Sequence, residues 1–139
     1  MIDSHCHLDH VGAIPYIEKN YKAPIVGTPY TIEVIKTLAR DEKIRINNKL
    51  IAKKTSSTYN VSKNIKLEFI RMTHSTPDTA SLAVHTPEGI VLYTNDFKLD
   101  NQPTMGGKPD YKRLKKLGEQ GNVKAVILDS LYCSKAMKT

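Results

Sequence analysis

The stretch that decides the fold is Ser4-His5-Cys6-His7-Leu8-Asp9-His10, near the start of the sequence. Three of the chain's five histidines and one aspartate fall within positions 5–10. Imidazole and carboxylate groups are the side chains that bind zinc or manganese. In an extended loop His5 and His7 point the same way and can clamp one ion, while Asp9 and His10 can reach toward a second. Because two such ions can polarise a phosphate or a carbonyl, this polar loop predicts a metal-dependent hydrolase.

The residues that follow the loop predict alternating helices and strands. Alternating apolar residues at 65–69 predict a strand with one buried face, and the apolar run 123–128 predicts a strand buried on both faces. Pro87 and Gly89 are typical of a type I turn, which predicts a hairpin. The pattern indicates one mixed α/β domain over residues 1–139. We predict helices at 11–21, from 29 to about 40–43 and at 111–121, and strands at 24–27, 50–53, 65–73, 81–86, 90–94 and 123–128.

The chain carries a formal net charge of +7, which favours polyanionic partners such as nucleic acid. Five basic residues cluster near the C-terminus, but such a cluster is more often a solvated helix face than a binding patch. These residues are Lys108, Lys112, Arg113, Lys115 and Lys116.

No apolar run approaches the roughly 20 residues needed to span a membrane, and the first residues do not resemble a signal segment. The two cysteines, Cys6 and Cys133, lack CxxC spacing, so we expect no disulfide and a reducing compartment. These features predict a cytoplasmic protein without a membrane partner. We interpret Cys6 as a small residue tolerated beside the histidines rather than as a metal ligand.

The loop fits the pattern HxHxDH, which resembles the signature of the metallo-β-lactamase superfamily. Further blocks follow it in an order and spacing similar to ribonuclease J, of the β-CASP branch, and particularly to its archaeal versions. The blocks around His74 and Asp96 narrow the resemblance from the superfamily to its RNA-processing branch. The blocks are Val26-Gly27-Thr28-Pro29-Tyr30-Thr31, Thr73-His74-Ser75-Thr76-Pro77-Asp78, His85-Thr86-Pro87-Glu88-Gly89, Thr94-Asn95-Asp96-Phe97-Lys98 and Pro109-Asp110-Tyr111-Lys112-Arg113-Leu114.

The resemblance implies a role for each matching residue. It implies two divalent ions, with zinc the first choice and manganese the alternative. His5, His7 and His74 match the ligands of the first ion, Asp9 and His10 match ligands of the second, and Asp96 matches the carboxylate that bridges both. Asp9, His10 and Asp96 are therefore the expected catalytic residues. From the residues alone, His74 and Asp96 each follow a predicted strand, so they can converge on one sheet edge.

Two residues near these blocks receive other interpretations. Asp78 could orient a metal ligand through a hydrogen bond. His85 lies beside the predicted turn, and we interpret it as structural or exposed.

The resemblance also implies the fold and the reaction. The expected fold is a partial metallo-β-lactamase αββα sandwich, about half of the full domain and the central part of its catalytic domain. The implied reaction is hydrolysis of RNA phosphodiester bonds, 5′-to-3′ on RNA with a 5′ monophosphate, with endonuclease action as an addition.

Some parts of the family pattern have no match in this sequence. They are the strands before the loop, the β-CASP insertion expected after Ser130, and a C-terminal segment that supplies another histidine to the second ion. We therefore expect the isolated chain to be inactive or to need a homo-oligomer or a complementing chain.

Two other functions remain open at this point. A small-molecule metallo-hydrolase would act on a lactone, thioester or β-lactam with the same ligands, although the basic charge and the Asp96-Phe97-Lys98 block favour RNA. A non-catalytic RNA-binding or scaffold protein fits an incomplete second site, although the intact HxHxDH pattern favours an enzyme.

Overall fold

Two β-sheets form the centre of the computed structural model, which describes residues 1–131 and 133–134. The first sheet has three parallel strands in the order β1-β2-β3, and the second has five in the order β4-β5-β6-β7-β8. In the second sheet neighbouring strands are antiparallel except for the parallel pair β7 and β8. The strands are β1 (Ile2–Asp3), β2 (Ile25–Gly27), β3 (Leu50–Ala52), β4 (Ser57–Asn60), β5 (Lys66–Arg71), β6 (Ala80–Thr86), β7 (Gly89–Tyr93) and β8 (Val123–Ile127).

Within the described residues, four α-helices and one 3-10 turn (Glu18–Asn20) accompany the sheets. Pro29 opens the third helix at a position where a proline needs no hydrogen-bond donor. The Asp110 carboxylate accepts the backbone N–H of Arg113 at 3.0 Å and so caps the fourth. None of the helices in the described residues is long and apolar enough to cross a membrane. The helices are α1 (Leu8–Val11), α2 (Ile14–Ile17), α3 (Pro29–Asp41) and α4 (Tyr111–Glu119).

Three apolar clusters separate four layers in the order helix, sheet, sheet, helix. The outer cluster joins α1, α2 and α3 to the first sheet, the middle cluster lies between the two sheets, and the third packs α4 on the far face of the second sheet. This arrangement confirms the predicted αββα architecture over the described residues; residues 132 and 135–139 of the predicted domain lie outside them. The clusters are Val11, Ile14, Ile25, Ile32 and Ile35; Val26, Leu67, Phe69, Ala80 and Leu82; and Ile70, Ala83, Ile90 and Leu117.

The prediction of a polar loop at residues 5–10 followed by one helix at 11–21 was wrong. Helix α1 already begins at Leu8, and the chain then forms α2 and a 3-10 turn as separate pieces. Pro15 has no N–H to donate to the carbonyl of Val11, so a continuous helix cannot pass through this point. Ile17, the last residue of α2, is 39% exposed.

Two expected burial patterns were also wrong. Residues 67–70 are all buried, because β5 lies inside the sandwich and both of its faces are covered. Strand β8, expected to be buried on both faces, lies at the edge of its sheet, and Val126 and Ile127 are 50% and 54% exposed. Strand β4 was not predicted, because its residues Ser57–Asn60 are mostly polar. The hairpin of β6 and β7 is confirmed, with Thr86 paired to Gly89.

Candidate metal centre

Three chain segments bring the predicted site residues to one edge of the sandwich. His5 follows the end of β1, and α1 carries Asp9 and His10. His74 follows β5, and Asp96 follows β7. The backbone N–H of Ala80, at the start of β6, donates to the carbonyl of Ser4 at 3.1 Å. This bond ties the histidine loop of the first sheet to the second sheet.

The first cluster contains three imidazoles and a carboxylate. His7 Nδ1 lies 3.0 Å from His5 Nε2 and 3.1 Å from His74 Nε2. Asp96 Oδ2 lies 3.8 Å from both Nε2 atoms. One candidate ligand atom from each residue lies within 4.8 Å of the others, so four donors converge on one small volume.

The second cluster shares Asp96 with the first. His10 Nε2 lies 3.5 Å from Asp96 Oδ2 and 3.6 Å from Asp9 Oδ2. The side-chain exposure rises from 0% at His5 to 23% at His10, 34% at Asp96 and 77% at Asp9. The buried cluster therefore opens to solvent on the side of the second one. The structure brings together all six residues that the sequence singled out.

The donor geometry of the first cluster fits a divalent cation. A neutral imidazole offers one in-plane lone pair, which cannot accept two linear hydrogen bonds at once. His7 Nδ1 nevertheless faces two nitrogen atoms at hydrogen-bonding distance. Two nitrogen ligands of one tetrahedral zinc ion lie about 3.3 Å apart for Zn–N bonds of ~2.0–2.1 Å, so a cation among the three nitrogens would resolve this crowding.

The surroundings keep the buried imidazoles neutral, as a metal ligand must be. Burial, together with the nearby His10, His74 and His7, lowers the pKa of His5 to about 4. Burial, together with His7, also lowers the pKa of His74 from its ordinary value. Burial also raises the pKa of Asp3, the last residue of β1, to about 6.

Two residues that contact the ligand histidines escaped the sequence analysis. The side-chain amide of Asn95 lies 2.9 Å from His5 Nδ1, and the hydroxyl of Ser75 lies 3.1 Å from His7 Nε2. Both residues are next to predicted ligands in the sequence, and only this adjacency could have indicated their contacts. Asp78, predicted to orient a ligand, makes no hydrogen bond to a ligand histidine within the described part of the chain, although it lines a small cavity beside His74.

Two other interpretations can be compared with the geometry. His85 lies on β6 and belongs to neither candidate metal cluster. Its Nε2 atom lies 2.9 Å from Glu68 Oε2, which agrees with a structural role. Cys6 belongs to neither cluster of candidate ligands and is a free, partly buried thiol whose pKa is raised by burial. This position agrees with its interpretation as a tolerated small residue.

A larger cavity of about 290 Å³ borders the first cluster at His74. Ser75 and Lys98 also line it, together with residues 100 and 103–105. Lys98 is exposed, and its ammonium group forms no ion pair with the described residues. The lining of the cavity therefore includes one basic residue, Lys98, and one acidic residue, Asp100, beside the candidate metal ligands.

Sequence comparison shows the family of the chain. Residues 2–130 match the family model described as the metallo-beta-lactamase superfamily. The chain is 48% identical over 119 residues to ribonuclease J of Methanocaldococcus jannaschii, covering 85% of this chain and 27% of that protein. It is 42% identical over 138 residues to ribonuclease J of Pyrococcus abyssi, covering 98% of this chain and 30% of that protein. The chain thus spans less than a third of the length of these relatives.

Solved structures share the fold at low identity. A protein of unknown function from Enterococcus faecalis superposes with a TM-score of 0.64 and 16% identity, covering 99% of this chain and 32% of that one. The metallo-beta-lactamase fold protein YhfI from Bacillus subtilis gives a TM-score of 0.53 and 22% identity, covering 68% of this chain and 39% of that one.

Proposed function

Since this chain belongs to the metallo-β-lactamase superfamily, we propose that it is the metal-binding part of a ribonuclease J-like enzyme. The proposed reaction is hydrolysis of RNA phosphodiester bonds, 5′-to-3′ from a 5′ monophosphate. One observation carries the proposal: Asp96 Oδ2 lies within 3.8 Å of Nε2 of His5, His74 and His10, so one carboxylate joins both clusters.

The residues present suit two divalent ions, and zinc is the proposed metal. His5, His7 and His74 would hold one ion, Asp9 and His10 the other, and Asp96 both. Imidazole-rich clusters suit zinc, whereas the carboxylates also suit manganese. When bound, the pair would activate water and neutralise charge on the phosphate.

The chain's own residues would face the substrate on one side of the site and shield the inner cluster from water on the other. Asp9, His10 and Asp96 form the solvent-facing side, where a phosphodiester can approach, and they are the proposed catalytic residues. Asp96 would hold the two clusters at a fixed separation. Because His5 is fully buried, its ring is held in place and the inner cluster is shielded from water on that side.

RNA is the proposed substrate, and two features support it over a small molecule. The relatives with the highest identities quoted above are named ribonuclease J. Lys98, which lines the cavity beside His74 together with Asp100, forms no ion pair among the described residues and would attract a neighbouring phosphate. The cytoplasm remains the proposed compartment, in which Cys6 and Cys133 would stay reduced.

We also propose that the chain self-associates through the edge of β8. A test of self-association that fails would favour a complementing chain instead. Val126, Ile127 and Leu128 are 50%, 54% and 58% exposed along this edge. An unpaired apolar edge strand tends to pair with another strand, and a second copy offers the same edge.

Cleavage of a 5′-monophosphorylated RNA, beside a thioester substrate, tests the function. With added zinc or manganese, the self-associated wild-type protein should cleave the RNA and leave the thioester intact, and the His74→Ala variant should cleave neither. Thioester hydrolysis without RNA cleavage would support a small-molecule hydrolase. RNA binding that survives chelation, without cleavage, would support a scaffold.

A further inference from the structure

Asn95 is a buried polar residue beside the metal centre that has no role in the proposed reaction. It lies between β7 and Asp96, its side chain is 1% exposed, and its φ of 62° is in the left-handed region. Its Nδ2 atom lies 2.9 Å from His5 Nδ1. Its Oδ1 atom is buried and has no hydrogen-bond partner among the described residues. A buried amide with one unpaired end needs a physical reason.

The reason lies in the proton on His5. This ring faces the cluster through Nε2, 3.0 Å from His7 Nδ1. If Nε2 keeps its lone pair for a cation, the proton of the neutral ring sits on Nδ1 and needs an acceptor. Two side chains reach Nδ1, namely Asn95 at 2.9 Å and Ser4 at 3.4 Å. The distance to Ser4 lies beyond the usual range of a hydrogen bond, so Asn95 is the stronger partner.

The amide of Asn95 can serve either tautomer of His5, because its oxygen and nitrogen ends are nearly equal in shape. With Nδ2 toward the ring, Asn95 donates to Nδ1, and the proton on His5 Nε2 can be donated to His7. With Oδ1 toward the ring, Asn95 accepts the proton on Nδ1, and Nε2 is free to bind a cation. This turn of the amide exchanges the places of Oδ1 and Nδ2, so the cation-binding tautomer requires the acceptor end of this amide to face the ring.

We propose that Asn95 is a positioning residue that holds His5 in its metal-binding tautomer by accepting the Nδ1 proton through Oδ1. The inference rests on the metal centre proposed above and not on RNA as the substrate. The left-handed backbone limits this position to residues such as asparagine, aspartate and glycine, and only the first two carry an acceptor.

The zinc affinity of variants at this position tests the proposal, measured by competition with a chromophoric chelator. Asn95→Gly keeps the backbone conformation and removes the amide, and its zinc affinity should be about 10- to 100-fold weaker. Asn95→Asp keeps an acceptor, so it should bind zinc at least as tightly as the wild type. Ser4→Ala removes the longer contact and serves as the matched control, with an affinity close to the wild type.

A second measurement reports the tautomer directly. In nitrogen-15 NMR spectra of the zinc-loaded wild type and the Asn95→Asp variant, the His5 proton should lie on Nδ1. Circular dichroism of the zinc-free variants separates a folding defect from a loss of affinity. The role of Asn95 would be overturned, with the proposed function untouched, by any of three results. These are a wild-type zinc affinity in Asn95→Gly, a His5 proton on Nε2, or a zinc affinity of Asn95→Asp as weak as that of Asn95→Gly. A wild-type protein that binds no zinc would contradict the proposed function as well.

Discussion

Asp96 Oδ2 and His10 Nε2 lie 3.5 Å apart, although the two residues are far apart in the sequence. His10 belongs to the short helix α1 beside the first sheet, and Asp96 follows β7 of the second sheet. Their contact therefore depends on the packing of the two sheets. Any change that separates the sheets would also separate the two halves of the metal centre.

Metal binding should stabilise the fold, because the ligands come from both sheets. Zinc at about 100 times its dissociation constant should raise the free energy of unfolding by about 2.7 kcal/mol. Thermal unfolding with zinc and with a chelator measures this difference. The His74→Ala variant should lose most of it, whereas His85→Gln, outside both clusters, should keep it. Equal melting temperatures with and without zinc would contradict the assignment of the ligands.

The ion pair of Glu68 and Arg113 should make stability depend on acid pH. Arg113 binds both carboxylate oxygens of Glu68, and its hydrogen bond lowers the pKa of Glu68 below the ordinary 4.5. Because the folded-state pKa is the lower one, this stabilisation is present above about pH 4.5 and is lost as the pH falls through the folded-state value.

Glu68→Gln should therefore lower the free energy of unfolding by about 2 kcal/mol at neutral pH, which is the contribution expected of hydrogen bonds to a charged group. Urea unfolding between pH 3 and pH 7 measures the effect, and the variant should show a weaker loss of stability in acid. Glu119→Gln removes the exposed pair with Lys115 and should change little. Equal stability of Glu68→Gln and the wild type at pH 7 would argue against a stabilising pair.

Lys98→Ala should weaken RNA binding without affecting the metal centre. If Lys98 contacts one phosphate, the slope of log affinity against log salt should fall by about 0.7 for a single strand. Fluorescence anisotropy with a labelled RNA measures both affinity and slope in chelator. Lys36→Ala removes an exposed lysine that pairs with Glu33 on α3 and is the matched control. An unchanged slope in Lys98→Ala would place the RNA elsewhere.

Self-association should depend on the edge of β8. Ile127→Lys puts a charge on this exposed edge and should lower the apparent mass in sedimentation velocity to that of one chain. Val61→Lys, at an exposed position near β4, is the control and should leave the mass unchanged. A wild-type protein that sediments as a single chain at every concentration would contradict self-association and favour a complementing chain.

The sequence predicted the site better than it predicted the details of the fold. All six candidate ligands converge because HxHxDH is a local pattern and because His74 and Asp96 each follow a strand. The break at Pro15 and the exposure of β8 were missed, since they depend on tertiary packing that hydrophobic periodicity does not describe. The contact of Asn95 with His5 also depends on the meeting of the two sheets, so no local pattern predicts it.

We propose that Asp96 joins two metal clusters and that these clusters hydrolyse RNA. The rate of zinc-dependent cleavage of a 5′-monophosphorylated RNA by the wild type and by Asp96→Asn tests it most directly. The account predicts cleavage by the wild type and a rate at least about a hundredfold lower in the variant, because the amide cannot replace the shared negative charge. Equal cleavage rates in the two proteins, or a folded, self-associated wild type that binds zinc and cleaves no RNA, would contradict this proposal.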